Sequence, residues 1–137
     1  MTQIIEVLKS YSDLIHGKGA TEIQIFNAEE QLSLKFTEEY RKYLSAFGLV
    51  IFDGHELTGI GDIERTNVVT VTRNQKRINL MISKDWYVIE EANIDDIVIW
   101  QSANGTIYKT QPGLRPKKIA EKMSEYLKDS ILIQKKK

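Results

Sequence analysis

Along residues 4–15 the apolar side chains Ile4, Ile5, Leu8, Tyr11 and Ile15 recur at spacings of three and four, with Glu6, Lys9 and Asp13 between them. That period places one apolar stripe along a helix, and it predicts a first helix ending at His16-Gly17. Thr21, with Gln24 three residues on, has the form of a capping box, so Ile23, Phe26, Glu29-Glu30 and Leu32 read as a second helix. Thr37 can cap a third, in which Tyr40, Tyr43, Leu44 and Phe47 form one stripe and Gly48 is the stop. Glu38 and Glu39 fall in its first turn, where the helix dipole favours anions.

After Gly48 the period shortens. Leu49 to Phe52, the turn Asp53-Gly54 and His55 to Ile60 predict two short strands about a tight turn. Trp86 to Ile89 and Ile97 to Trp100 are β-branched and aromatic runs, and Asn104-Gly105 before Thr106-Ile-Tyr108 is a hairpin signal. These three strands are expected to be consecutive and antiparallel. From Arg115, approached by Pro112 and Pro116, the positions Ile119, Met123, Tyr126 and Leu127 predict a closing helix, and Lys135 to Lys137 are expected to fray. Residues 65–84 are less regular: Val68-Val-Thr-Val-Thr72 has strand composition, and its basic, Asn-rich sequel to Asn79 reads as a mobile connection. No repeat, low-complexity tract or linker divides the chain. The expectation is one α+β domain over residues 1–137, with N-terminal helices and one C-terminal helix packed on a mostly antiparallel sheet.

Composition narrows the class. With 137 residues, 42% apolar and 28% charged, the chain can bury a self-sufficient core. Its longest apolar runs are four residues, as in Leu49 to Phe52, against about 20 for a membrane span. Glu6 interrupts the first apolar run and no basic opening precedes it, which argues against a signal peptide. The absence of cysteine removes disulfides, thiolate nucleophiles and cysteine metal sites, and cytosol is the expected compartment.

Net charge is zero, so no global field draws the protein to nucleic acid or acidic lipid, and neither is expected as a direct partner. The charge is blocked, however. Residues 1–64 carry eleven acids and five bases, 65–84 five bases and no acid, 85–108 five acids and no base, and 109–137 nine bases and three acids. Blocks of this kind read either as complementary solvated faces or as an acidic patch that recognises something basic.

Candidate chemistry is sparse. His16 and His55 are the two histidines, and neither has a partner at the spacing of a helical zinc site, so no metal is expected. His55-Glu56 near Asp53 could orient one another, but no serine in a nucleophile elbow accompanies them. Gly59-Ile-Gly61 opens like a dinucleotide fingerprint, yet Glu64 stands where the third glycine belongs, and no cofactor is expected. Glu90-Glu91 and Asp95-Asp96 are paired carboxylates of the kind that glycosidases and calcium loops use. Adjacent residues of an extended segment point to opposite faces, though, and the calcium-loop spacing is missing, so they read as a solvated turn. Trp86, Tyr87, Trp100 and Tyr108 could stack bases, but their acidic neighbours repel phosphate. Core packing is expected of Trp86 and Trp100, with surface recognition as the alternative.

The stretch from Glu22 through Gly48 holds Ala28-Glu-Glu-Gln-Leu32, Leu34-Lys-Phe36 and Glu39-Tyr-Arg-Lys-Tyr-Leu44 before Phe47-Gly48. It resembles the opening of the SUKH (Smi/Knr-like) superfamily, with Phe36-Thr37 where a Leu-Pro pair is common in that superfamily. His55-Glu-Leu-Thr-Gly59, Asp85 to Glu90, Asp95 to Trp100 and Asn104 to Tyr108 resemble its later strands, so the likeness covers about residues 3–130. The resemblance implies a helix at Asn67 to Thr72, against the strand composition there, and that expectation is adopted.

It also implies a non-catalytic immunity protein that neutralises a polymorphic toxin, frequently a nuclease, passed between bacterial cells. Some eukaryotic relatives regulate cell-wall assembly, so a scaffold or regulator is the alternative. A third reading, a small hydrolase using Glu56 or Glu90, would need a deep pocket and a strongly raised carboxylate pKa. Nuclease toxins present basic grooves, and the base-free block is the expected counterpart. Its candidate partner-binding residues are Glu90, Glu91, Asp95 and Asp96 around the turn, Trp100 and Tyr108 as apolar anchors, and Glu56 as an extension. Charge complementarity there would mainly speed association.

Overall fold

The computed structural model describes residues 3–11, 13–52, 54–92 and 94–128. Helix α1 (Gln3–Lys9) is followed by a two-residue strand β1 (Ile15–His16), then α2 (Glu22–Leu32) and α3 (Glu38–Phe47). Strands β2 (Val50–Phe52) and β3 (His55–Glu56), a 3-10 turn (Glu64–Thr66) and α4 (Val68–Ile78) lead to β4 (Tyr87–Glu91), β5 (Val98–Gln101), β6 (Ile107–Thr110) and β7 (Lys117–Ala120). A last helix, α5, occupies residues 123–128. The strands form two antiparallel sheets, β1-β2-β3 and β4-β5-β6-β7, and a bridge between Leu57 and Glu90 brings them edge to edge. This is a mixed α+β fold.

The local signals work where caps are strong. Thr21 and Gln24 form the reciprocal capping box of α2, and Thr37 accepts from the Tyr40 amide at the start of α3. Asn67 does the same for α4, accepting from the Val69 and Thr70 amides, so the stretch with strand composition is a helix as the family likeness implied. The Asp53 position and Lys135 to Lys137 lie outside the described residues.

Two expectations are corrected. The first helix stops at Lys9, not at His16, and Ile15 and His16 instead pair with Ile51 and Val50. The closing helix does not start at Arg115. Lys117 to Ala120 pair with β6 as an edge strand, and the helix begins at residue 123. The cause is Glu39 of α3, whose two carboxylate oxygens accept from the Met123 amide (2.7 Å) and the Ser124 amide (2.9 Å) and so fix where the turn of helix starts. Lys117 and Lys118 on the edge also discourage pairing with another chain.

One apolar cluster runs from Ile4 and Leu8 of α1 through the stripe of α3 to Ile89, Ile99, Met123 and Leu127, on the inner face of the larger sheet. A smaller one, Val71, Val88, Val98 and Trp100, fills the outer face under α4. In the inner cluster Phe36, Tyr40 and Tyr87 meet with ring centroids about 5 Å apart. The hydroxyls of the buried tyrosines are satisfied: Tyr40 shares a hydrogen bond with the Thr58 hydroxyl (2.7 Å), Tyr43 donates to the Thr58 carbonyl (2.6 Å) and Tyr87 to Gln101 Oε1 (2.6 Å). Gly48 and Gly59 sit where backbones cross, since a Cβ on Gly59 would lie 2.0 Å from the Gly48 carbonyl oxygen.

Candidate functional site

At one end of the larger sheet three connections converge. The end of α4 and the residues after it supply Ile78, Asn79 and Met81; the β4–β5 connection supplies Ile94, Asp95 and Asp96; the β6–β7 connection supplies Leu114 and Arg115. Together they wall an open groove of about 990 Å³ whose floor includes Val98 and Thr110, register partners across β5 and β6. Thr110 is held there by the Trp100 indole, which donates to its hydroxyl (2.8 Å).

Each wall has a local cause. Asn79 terminates α4, and its side chain accepts from the Met81 amide (3.0 Å), turning Met81 toward the groove. Gln75 of α4 donates to Glu91 (2.5 Å) and Lys76 to the Lys84 carbonyl (2.8 Å), which fixes the helix against β4 and its own connection. Desolvation lowers the Lys76 pKa. On the facing wall the Ile97 amide donates to the Ile94 carbonyl (3.1 Å), closing a turn whose central residues, Asp95 and Asp96, both have φ of 54°. Positive φ at both centres is the conformation that Asn-Gly adopts most cheaply, and here two aspartates hold it.

The groove is apolar at its lip. Ile78 is 77% exposed, Met81 71%, Ile94 63% and Leu114 62%, half of the eight large apolar residues exposed on the described surface. Scattered apolar side chains on a surface are ordinary, whereas a contiguous group marks an interaction site. Asp95, Asp96 and Arg115 have no hydrogen-bond or ion-pair partner among the described residues.

The structure divides the predicted partner-binding residues. Glu91, Asp95 and Asp96 line the groove. Glu90 does not: it is 2% exposed, accepts from Tyr126 (2.6 Å) and faces His55 Nδ1 (2.5 Å). A register shift between Val88 and Glu90 sets Glu90 opposite Ile99, on the inner face, so the simple alternation that would have placed it on the outer face with Val88 is broken. Trp100 is fully buried in the outer-face cluster, which corrects its role as an exposed anchor and fits the core packing expected of it. Tyr108 is half-buried and stacks on Trp86 at 4.2 Å. Glu56 pairs with Arg65 (2.5 Å) beside a separate cleft of about 260 Å³. The Arg65 guanidinium hydrogen-bonded to it holds its carboxyl below the usual range, the opposite of the raised value a general acid there would need.

Ile78, Met81, Ile94, Leu114 and Arg115 were not among the predicted site residues. The available signal was the run Leu80-Met81-Ile82 after the end of a helix, and Ile94 standing alone between acids in a turn, apolar positions with no periodic face to bury them. Among the described residues no helix is long and apolar enough to cross a membrane, and no group of three or more histidine, aspartate or glutamate side chains is placed to hold a metal ion.

Helices on both faces of the larger antiparallel sheet, with an open groove at one of its ends, define a mixed α+β protein. The family model described as SUKH_5, SMI1-KNR4 cell-wall, matches residues 1–132, and the chain belongs to that family. The search of curated proteins returns no match.

Proposed function

We propose that this protein is an immunity protein, which binds a cognate toxin domain and neutralises it by contact rather than by chemistry. Family membership supports the class. The observation that carries the reading is the groove, where four large apolar side chains stand exposed beside two unpaired carboxylates. Interfaces of this composition bind through a central apolar cluster and gain speed and selectivity from the charged rim. A toxin that handles nucleic acid carries a cationic surface, and Asp95 and Asp96 have the opposite sign. The proposed place of action is the cytosol, with residues 1–137 acting as one unit.

The test is co-expression with the toxin domain encoded beside this gene. Growth should be restored and the two proteins should co-purify; a wild-type protein that neither restores growth nor forms a complex would remove the reading. The family's description, which refers to the cell wall, favours a second reading: a regulator that binds an endogenous protein. In that case deletion of the gene would alter sensitivity to wall-active compounds in a strain carrying no adjacent toxin.

A further inference from the structure

We infer that the groove takes a short partner segment of apolar residues that carries lysine or arginine on the side meeting Asp95 and Asp96. This rests on the partner-binding reading above and names the chemistry of what is bound. Exposed apolar side chains stand on all three walls, Ile78 and Met81 on one, Ile94 on the second and Leu114 on the third, so the occupant must be apolar along its length. The charged groups on the walls are not equivalent. Glu91 is engaged by Gln75, whereas Asp95 and Asp96 are exposed and unpartnered among the described residues. They lie in the base-free block of residues 85–108, so no cation of their own strand pair competes for them.

Arg115 on the third wall has the reverse sign and is likewise unpartnered among the described residues. A cation bound near Asp95 and Asp96 is attracted, while one near Arg115 is repelled, so the segment is oriented as well as selected. An anionic lipid surface fits poorly, because the two carboxylates at the lip would repel it. The open shape of the groove suits a chain segment better than an enclosed small molecule, whose sites bury most of the ligand.

Isotope-labelled full-length protein can be titrated with two short amphipathic peptides, one of leucine and lysine and the other of leucine and glutamate. The lysine peptide should move the amide signals of Ile78, Ile94 and Leu114, and the glutamate peptide should bind more weakly. Asp95→Asn with Asp96→Asn should weaken the lysine peptide by about two- to fivefold per charge at low ionic strength, and Arg115→Glu should tighten it by a similar factor. Equal binding of both peptides, shifts centred on Ile23 and Phe26 of α2, or no shifts would overturn the proposal. So would groove signals that change with protein concentration alone, which would assign the groove to a second copy of this chain. Growth rescue by the doubly neutralised variant with unchanged affinity for the toxin would overturn the groove and leave the toxin reading standing. Intact peptide binding without rescue by the wild type would do the reverse.

Discussion

Burial raises the phenol pKa of Tyr40, Tyr43 and Tyr87 above the ordinary value of 10.0, since each ring sits in the inner cluster and a phenolate there would lose its hydration. The unfolded chain ionises at the ordinary value and the folded one does not, so protons are lost preferentially from the unfolded state. Stability is therefore complete below about pH 10 and falls as pH rises above it, by about 1.4 kcal/mol per pH unit for each tyrosine. Denaturant titrations should show this decline, and the tyrosinate absorbance of these residues should appear only with loss of the native circular dichroism. Absorbance rising first, with the fold intact, would contradict the assignment. Glu39 offers a second residue-scale check. Replacing it with alanine leaves the Met123 and Ser124 amides without their acceptor, at a cost of about 2 kcal/mol, while the Gln101 amide group keeps the Gly105 carbonyl. Amide exchange should quicken across residues 123–128 before it does in β5. Neither role was legible in the sequence, where Glu39 read as a first-turn acid serving its own helix.

At the scale of elements, α3 was legible because cap and apolar stripe agree, whereas α2 was legible from its capping box, since Ile23 and Phe26 are exposed and Ile25 and Ala28 are buried instead. The strands β4, β5 and β6 were legible because β-branched runs and an Asn-Gly turn agree. Strand β7 was not: Ile119, Met123, Tyr126 and Leu127 keep a helical spacing, but four residues are too few to separate the two periods, and the partner strand decides. In α4, helix propensity disfavours valine and threonine by only some tenths of a kcal/mol each. Burial of Val68, Val69 and Val71, with Thr72 accepting from the Val88 amide (3.0 Å), outweighs it. The β4–β5 turn gives the element-scale prediction. Asp95→Asn with Asp96→Gly relieves two residues held at positive φ and should raise stability by about 0.5–1 kcal/mol. The same change should weaken partner binding, so a chemical melt and a binding isotherm must move in opposite directions; a variant less stable than the wild type would refute the turn argument.

Over the whole molecule, the acidic side of the groove was legible as a base-free block in the sequence, but the groove was not. Its walls come from residues 78–81, 94–96 and 114–115, and only the packing of α4 on β4 and the register of β5 on β6 bring them together. Glu90 and Trp100 belong to the same block and are buried on opposite faces of the sheet, because a bulge and a second apolar cluster claim them. The surviving pair carries the association prediction. Asp95→Lys with Asp96→Lys should slow binding to the proposed toxin partner and flatten its dependence on salt, while the melting temperature stays within a few degrees. Stopped-flow association at low ionic strength measures this, and an unchanged rate would place the interface on another face.

The composition of α4 has a consequence for the protein's life at high concentration. Asn67-Val-Val-Thr-Val-Thr72 is uncharged, free of proline and rich in β-branched residues, the profile of a segment that stacks into fibrils once its backbone is released. As a helix it offers no open edge, and Arg65 and Arg73 flank it as charges that resist stacking. The Asn67 cap thus guards against aggregation as well as starting a helix. Asn67→Ala should cost about 1 kcal/mol, yet form thioflavin-binding aggregates faster than Glu39→Ala, the more destabilised of the two. Aggregation that tracked overall stability alone, with no excess for the cap variant, would show that the segment stays shielded.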